Sequence, residues 1–289
     1  MGGVIIFVLF FELLVYQYSN YLKNLDTQIL IAISSLCFFL GIADDRINIK
    51  SYLKLFIISL FVFFLLSFSN LLILQELYFN SFNKVIKFNS SGIYFTTLCI
   101  LLLINAYNLS DGINGLAIII SVHWIVALFF FTFNVNIVYL FLPLLTLIII
   151  GFFIYRGKFF LGDSGSLLLS SVIGLTTIYL YNFKLGSNYV GLSAEKFFLI
   201  FIIPGLDMLR LFIERIFNKR DPFSGDNEHL HHLLIKKYKL KKTLLIYTAI
   251  LTVPFYVNYL LYNKEIFIIF CTISLYFYII YYLKKNYKS

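Results

Sequence analysis

Cysteine is scarce in this sequence of 289 residues, which contains three. Cys37, Cys99 and Cys271 each lie in an apolar run, and no Cys-x-x-Cys or Cys/His spacing accompanies them. Neither a zinc site nor a disulfide framework is indicated, and small packing residues are the simpler interpretation. The motifs GxxxxGKS/T, GxGxxG and GxSxG are also missing, which disfavours P-loop hydrolysis, dinucleotide redox chemistry and serine hydrolysis.

Charged side chains are also few for a chain of this length, at 13% of residues, whereas 61% are hydrophobic. A soluble domain is about half apolar and about a quarter charged. Apolar runs of the ~20 residues needed to cross a bilayer recur along the chain, which predicts an all-α polytopic membrane protein. The ten candidate transmembrane helices, with boundaries uncertain by ~2–4 residues, are about 3–19, 26–43, 51–68, 92–107, 113–132, 136–154, 164–181, 195–213, 243–262 and 265–283.

The basic residues that give the net charge of +9 flank the apolar runs. Lipid headgroups and an anionic substrate are therefore the expected partners, rather than nucleic acid. The positive-inside rule makes cytoplasmic the side that holds both termini and the loops after spans 2, 4, 6 and 8. That side carries most of the basic residues, namely Arg46, Lys50, Arg156, Lys158, Lys219, Arg220, Lys236, Lys237, Lys239, Lys241, Lys242, Lys284, Lys285 and Lys288.

The same assignment places the polar segments on the cytoplasmic side. Asp44 and Asp45, the segment from Asn105 to Asp111, Asp163 and a histidine cluster around His229 all fall there. The opposite loops carry few acidic residues and no histidine. Ionisable groups at membrane level are costly and are usually functional, so this clustering predicts one active site formed by several cytoplasmic loops.

Two of these segments offer carboxylates and amides. Asp44 and Asp45 at a span end fit a Mg²⁺ ligand or a general base, although a helix boundary paired with Arg46 is an alternative. In the segment from Asn105 to Leu116, a polar side chain recurs every three residues. If the helix of the fourth span continues here, these side chains share one face, which would contact a ligand. A polar turn between two spans is the alternative there. The recurring residues are Asn105, Asn108, Asp111 and Asn114.

Two further segments offer phosphate partners. Asp163 lies in Gly-Asp-Ser-Gly-Ser at the start of a span, where it fits a metal ligand near an anion-binding helix N-terminus or a plain N-cap. The longest cytoplasmic loop, 213–243, follows Asp207 and Arg210 and contains His229, His231 and His232. Contacts to a pyrophosphate suit these arginine and histidine side chains better than zinc, because no HExxH or cysteine pattern supports a zinc site.

Together, in this order, the four segments resemble the polyprenyl-phosphate N-acetylhexosamine-1-phosphate transferases, glycosyltransferase family 4. The match runs from Gly2-Gly3 to about His232, and Pro222-Phe223-Ser224 with His229-Leu230-His231-His232 resembles the bacterial GlcNAc-1-phosphate transferase branch. The resemblance implies transfer of a sugar 1-phosphate from a UDP-sugar to undecaprenyl or another polyprenyl phosphate, releasing UMP. It further implies Mg²⁺, with Mn²⁺ as an alternative, and an inner-membrane enzyme with a cytoplasmic active site that starts a cell-envelope glycan; a homodimer stays open.

The resemblance also implies roles for individual residues. Asp44 or Asp45 would deprotonate the lipid phosphate, or an aspartate would act as a covalent nucleophile, and Asp163, with Asp45, would bind the metal. Asn108 and Asp111 would hold the nucleotide and the surroundings of the metal. Substrate contacts are implied for Asn105, Asn108, Asp111, Asn114, Arg210, His229, His231 and His232.

Two features depart from the family pattern. Asn114 stands where many members have aspartate, and the chain is expected to lack the family's first transmembrane helix, because Gly2-Gly3 normally follows that helix and a basic loop. We expect a single membrane domain, 1–289, with 213–243 as its substrate-recognition loop. A transporter or flippase for a lipid-linked substrate is the alternative of another class, disfavoured by the acidic residues at span ends and the lack of a repeat. A catalytically inactive homologue is the third alternative.

Overall fold

Helices make up most of the computed structural model, which describes residues 2–8, 25–131, 138–185, 193–222, 226–261 and 264–285. The described part of α1 is residues 2–8. The remaining helices are α2 (Leu25–Ile47), α3 (Ser51–Leu66), α4 (Gly92–Ser110), α5 (Leu116–Phe131), α6 (Val138–Tyr155), α7 (Gly162–Leu185), α8 (Ala194–Phe217), α9 (Leu230–Lys237), α10 (Leu240–Leu260) and α11 (Glu265–Lys285).

The long helices from α2 onward lie where the apolar runs predict them, and α9 is an additional short helix within the loop predicted at 213–243. Five helices are long and apolar enough to cross a bilayer: Leu25–Ile47, Asn89–Ser110, Gly162–Asn182, Leu240–Leu260 and Glu265–Lys285. A polytopic membrane protein is thereby supported, whereas ten crossings and the sidedness of the loops stay predictions. Most of the first predicted span, 3–19, lies outside the described residues.

A β-hairpin interrupts the helical pattern in the loop predicted at about 69–91. Its strands are β1 (Glu76–Phe79) and β2 (Lys84–Lys87), which pair in a two-stranded sheet. Asn83 turns the chain with a positive φ of 48°, a conformation that asparagine tolerates better than most residues. Strands of four residues are too short to show the alternation that reveals a strand in sequence, so the all-helical prediction omits them.

The chain divides into two compact units, Met1–Leu77 with Ile86–Leu192, and Tyr78–Val85 with Ser193–Ser289. In the first unit, α7 is the central helix and packs against α2, α4 and α5. Small residues make this close packing feasible. A Cβ on Gly41 of α2 would meet the backbone oxygen of Asp163 at 2.6 Å, so α2 and α7 touch backbone to backbone there.

Three buried hydroxyl groups of α7 are hydrogen-bonded within the helix itself. Ser170, Ser171 and Thr177 donate hydrogen bonds to carbonyl oxygens three or four residues earlier in the same helix, at 2.7–2.8 Å. Such bonds let hydroxyl-bearing side chains occupy a buried helix at little cost. The polar composition of α7 is therefore compatible with its central position in the first unit.

The second unit contains α8 to α11. Helix α8 packs against α10 and α11, and the short helix α9 packs against the same two helices. The tip of the hairpin also belongs to this unit, where the carboxylate of Glu195 accepts hydrogen bonds from the backbone nitrogens of Asn80 and Ser81 at 3.2 and 3.1 Å. Asn80 also donates to Glu265 at the start of α11, at 3.3 Å.

Candidate functional site

The last turn of α2 presents Asp44 and Asp45 next to one another. Asp44 is buried, and its Oδ1 accepts a hydrogen bond of 2.6 Å from the backbone nitrogen of Ile49. Asn48, with a positive φ of 50°, reverses the chain between α2 and α3. The turn therefore fixes the Asp44 side chain and brings the first turn of α3 toward it.

Lys54, in the first turn of α3, is the cation that lies between two of these carboxylates. Its ammonium lies 2.5 Å from Asp44 Oδ2 and 2.7 Å from Asp163 Oδ2, and the residue is 8% exposed. A buried lysine is costly unless it is paired with charge and hydrogen-bonded. Lys54 therefore ties α2 and α7 together through two charge-assisted hydrogen bonds.

Asp45 caps the N-terminus of α7. Its Oδ1 accepts from the backbone nitrogen of Asp163 at 2.8 Å and its Oδ2 from that of Ser164 at 3.2 Å. The first backbone N–H groups of a helix lack internal partners and favour negative charge. Gly162 makes this approach feasible, because its φ is +68° and a Cβ there would meet the Asp45 carboxylate at 2.9 Å.

Asn108, near the end of α4, fixes the other side of Asp163. Its Nδ2 donates to Asp163 Oδ1 at 2.9 Å and to Ser166 Oγ at 2.8 Å. Asp163 thus receives an ammonium on one carboxylate oxygen and an amide on the other. We call the six residues that meet here the acidic cluster: Asp44, Asp45, Lys54, Asn108, Asp111 and Asp163.

Asp111, at the end of α4, is the least stabilised carboxylate of the acidic cluster. Burial, together with the negative charges of Asp163 and Asp45, raises the pKa of Asp111 to about 7. Asn105 lies one helical turn before Asn108 on α4, and Asn114 lies in the turn before α5; both are half-buried. Nearby positive charge would favour the ionised form of Asp111.

The acidic cluster offers the oxygen donors that a hard divalent cation prefers, namely carboxylates and an amide. Burial and then the negative charges of Asp163 and Asp45 raise the pKa of Asp111, and a bound cation would favour its ionised form. Within the described ranges, however, no three His, Cys, Asp or Glu side chains are arranged so that they could hold a metal ion by themselves. The donor set fits Mg²⁺ provided that the substrate's own oxygens complete the coordination.

A second polar group, the histidine cluster, lies within the second unit around Asp207 of α8. The Asp207 side chain is 3% exposed, and its Oδ2 lies 2.9 Å from His229 Nδ1. Both carboxylate oxygens also accept from the backbone nitrogen of Leu230, each at 3.1 Å. Asp207 therefore caps α9 and fixes the imidazole that precedes it. The histidine cluster comprises Asp207, Arg210, His229, His231, His232 and Tyr276.

Arg210 uses all three guanidinium nitrogens inside the second unit. Nε donates to the Tyr276 hydroxyl at 2.8 Å, and Nη1 donates to both Glu214 oxygens at 3.1 and 3.2 Å. Nη2 donates to Asp207 at 3.0 Å and to the Glu228 carbonyl at 2.7 Å. Arg210 therefore supports the loop before His229.

The other two imidazoles adjoin His229. The His229 and His231 rings stack with centroids 5.5 Å apart, and the His231 and His232 centroids lie 4.2 Å apart. Burial, reinforced by the neighbouring His232, lowers the pKa of His231 to about 3. His231 is thus neutral at physiological pH, and both of its buried ring nitrogens lack a hydrogen-bond partner within the described residues. Arg215 holds the loop before the cluster through Asp226, at 2.7 Å.

The family model for glycosyl transferase family 4 matches residues 27–181, which is more than half of the chain. The chain belongs to this family. The matched segment contains every residue of the acidic cluster, whereas the histidine cluster lies beyond it.

Curated relatives support the assignment to glycosyl transferase family 4. The chain is 28% identical over 219 residues to the undecaprenyl-phosphate alpha-N-acetylglucosaminyl 1-phosphate transferase of Escherichia coli strain K12, covering 71% of this chain and 57% of that protein. It is 27% identical over 271 residues to the phospho-N-acetylmuramoyl-pentapeptide-transferase of Petrotoga mobilis. This match covers 86% of this chain and 79% of that protein. The chain thus spans less than two thirds of the length of the E. coli relative.

For this member of glycosyl transferase family 4, the structure brings the predicted residues together in two groups. Asp44, Asp45, Asn108, Asp111 and Asp163 meet in the first unit, and Arg210 and the three histidines meet in the second. Their catalytic roles, and a pocket shared by both groups, stay predictions. Residues 223–225 of the predicted recognition loop lie outside the described residues.

Sequence reasoning missed three residues that this family member places in the two groups. Lys54 is a charged residue inside an apolar run, which is itself a signal of function. Asp207 lies within the predicted span 195–213 and carries the same signal, but its sequence context alone indicates no role for it. Tyr276 is one of 22 tyrosines, and no pattern distinguishes it from the others.

Proposed function

We propose that this chain transfers a sugar 1-phosphate from a UDP-N-acetylhexosamine, with UDP-GlcNAc favoured, to undecaprenyl or another polyprenyl phosphate. The products are a polyprenyl-diphosphate-sugar and UMP. The chain would thereby catalyse the first step of a cell-envelope glycan, such as an O-antigen or a teichoic acid. It would act in the inner membrane with its site on the cytoplasmic side, consistent with the positions of the basic loops.

The acidic cluster is the observation that carries this proposal. Three helix ends of the family-matching segment converge on Asp163, with Asp45 at its backbone nitrogen, Lys54 on one oxygen and Asn108 on the other. A purely structural ion pair would not need a further carboxylate, Asp111, whose pKa is raised to about 7. Excess negative charge held at helix ends is typical of a site that binds a cation together with an anionic substrate.

The reaction joins two anions that repel each other, and the residues of the acidic cluster would reduce that repulsion. An oxygen of the lipid phosphate forms a bond to the sugar-linked phosphorus of the donor, and the bond from that phosphorus to the bridging oxygen breaks, so that UMP leaves. Asp45, the more exposed residue of the aspartate pair, would accept a proton from the lipid phosphate. Lys54 supplies a buried positive charge that would offset the charge on the diphosphate.

A divalent cation, Mg²⁺ or Mn²⁺, would neutralise phosphate oxygens when bound. Asp163, with Asp45, would hold it, Asn108 orients Asp163 through its amide, and Asp111 would add its charge to the surroundings of the metal. Asn105 and Asn114 flank this region on α4 and the following turn, where they would contact the nucleotide. His229, His231 and His232 would contact the diphosphate or the sugar.

Membrane vesicles containing the protein, labelled UDP-GlcNAc and undecaprenyl phosphate provide the test. We expect label in the lipid fraction and an equal amount of UMP, both dependent on Mg²⁺. Both products should be lost in Asp45→Asn and Asp163→Asn, while Lys84→Ala, in the exposed strand β2, serves as a matched control. Movement of a lipid-linked sugar across the membrane without UMP release would favour a flippase instead. A panel of UDP-sugars would then identify the donor.

A further inference from the structure

The Asp207 carboxylate joins three separate elements of the second unit. It lies on α8, accepts from Leu230 at the start of α9, and accepts from the Tyr276 hydroxyl of α11 at 2.7 Å. Asp207 and Tyr276 are separated by 69 positions in the sequence, and both are buried, at 3% and 0% exposure. Helix α11 therefore contributes directly to the surroundings of the histidines, although it lies far outside the segment that matches the family model.

The hydrogen bond with Asp207 determines which ring nitrogen of His229 carries the hydrogen. A carboxylate is an acceptor, so the contact of 2.9 Å between Asp207 Oδ2 and His229 Nδ1 places a hydrogen on Nδ1. A neutral imidazole then has Nε2 as its acceptor nitrogen. Asp207 thus sets both the direction of the ring and the nitrogen that is left for a ligand.

Tyr276 and Arg210 keep Asp207 in this orientation. The Tyr276 hydroxyl donates to Asp207 Oδ1 and accepts from Arg210 Nε at 2.8 Å, while Arg210 Nη2 binds the same carboxylate oxygen at 3.0 Å. Oδ1 is therefore occupied by two side chains, and Oδ2 is directed to the imidazole. Lys284, also on α11, pairs with Glu214 and Glu228 at 2.9 and 3.2 Å, which adds a second tie to the loop before His229.

We propose that Asp207 and Tyr276 are positioning residues that act through His229, and that Arg210 supports them from within the protein. This inference rests on the proposed function, in which His229 contacts the diphosphate or the sugar. An acceptor Nε2 held in this direction would take a hydrogen bond from a hydroxyl or amide N–H of the sugar, and a contact of this kind that forms in the transition state affects kcat more than KM. The C-terminal helix is thereby part of the transfer machinery.

A double-mutant cycle tests this coupling in the full-length protein. We expect Asp207→Asn to lower kcat about 10–100-fold with little change in KM, as loss of an orienting partner does at other sites. Tyr276→Phe removes two hydrogen bonds, one donated to Asp207 and one accepted from Arg210, and should lower kcat about 3–10-fold. In a His229→Gln background, neither change should lower the rate by more than about 2-fold. The matched control is Tyr278→Phe, since Tyr278 is 65% exposed on the same helix.

A second readout does not depend on turnover. The chain has four histidines, so ¹⁵N-histidine NMR of the purified protein resolves few imidazoles, and His229→Gln identifies the relevant signal. We expect a protonated Nδ1 in the wild type, with its signal shifted in Asp207→Asn and, less strongly, in Tyr276→Phe. A protonated Nε2 with a bare Nδ1 in the wild type, or signals unaltered in both variants, would overturn the inference.

The outcomes separate this inference from the proposed function. Rate losses that add in the His229→Gln background would overturn the positioning role and leave the transferase assignment intact. Absence of any transfer by the wild type, with the NMR signature as expected, would overturn the transferase assignment and retain the orientation of His229 by Asp207.

Discussion

Replacement of Asp111 by asparagine should stabilise the metal-free protein at alkaline pH. Burial and the charges of Asp163 and Asp45 raise the pKa of Asp111 from 3.8 to about 7. A difference of about 3 in pKa corresponds to about 4 kcal/mol of unfolding free energy. Asp111 is half-buried, so solvent screening reduces the expectation to about 2–3 kcal/mol.

The sign follows from the protons bound in each state. Between pH 4 and 7 the folded protein binds the Asp111 proton more tightly than the unfolded protein does, so this residue's stabilising contribution is lost as pH rises through that window. Below pH 4 both states are protonated, and above pH 7 the penalty is constant. Asp111→Asn carries no such penalty, so its advantage over the wild type should vanish near pH 4, reach about a third of its full value at pH 5, and be complete at pH 8.

Thermal melting monitored by fluorescence-detected size exclusion, in detergent with EDTA, measures the effect. We expect a melting temperature for Asp111→Asn roughly 4–10 °C above that of the wild type at pH 8, and about a third of that difference at pH 5. Added Mg²⁺ should raise the melting temperature of the wild type more than that of the variant.

Asp26→Asn is the matched control. The Asp26 carboxylate accepts hydrogen bonds from the Ser69 hydroxyl and from the backbone nitrogens of Asn70 and Leu71. Removing its charge weakens these bonds, so this variant should not be stabilised at pH 8. An Asp111→Asn protein no more stable than the wild type at pH 8 would refute the reasoning that burial and the neighbouring carboxylates penalise the charge of Asp111.

Three further predictions concern other parts of the first unit and the hairpin. Lys54→Met should destabilise the protein by about 3–5 kcal/mol, because Asp44 and Asp163 lose their shared cation, and should abolish measurable transfer; normal turnover would exclude Lys54 from the site. Gly41→Ala should cost about 1–3 kcal/mol in melting experiments, because the new Cβ meets the backbone of α7; an unchanged melting temperature would contradict that close approach. Lys84→Ala should change stability by less than about 0.5 kcal/mol and spare turnover, and a catalytic loss with normal folding would contradict the predicted sidedness.

The helices were predictable because each requires a long apolar run, and a chain that spans a bilayer must satisfy its backbone hydrogen bonds within each segment. The hairpin was not predictable, since four-residue strands give no periodic signal. Its position is set by Glu195 and Glu265, two carboxylates more than a hundred residues away in the sequence. Contacts of that kind cannot be inferred from local pattern.

The acidic cluster was largely predictable, because aspartates and asparagines at span ends are costly and therefore stand out. What sequence could not show is how the carboxylates are distributed: Asp45 binds backbone nitrogens of α7, and Lys54 lies between Asp44 and Asp163. In the second unit, the role of Tyr276 could not be predicted, because a tyrosine within an apolar run has the same sequence pattern as a residue that only packs. The contact with Asp207 exists only once α8 and α11 are folded together.

The contact between α2 and α7 at Gly41 has a consequence for how this enzyme family can vary. Because the main chains of α2 and α7 touch there, the packing of these two helices fixes the backbone distance between the aspartate pair and Asp163. Rotation of side chains does not change that distance. Selection for a new sugar donor would thus leave these two helices nearly untouched. Substitutions at the α2–α7 crossing should therefore alter the whole acidic cluster at once, because they change the distance between the two helices.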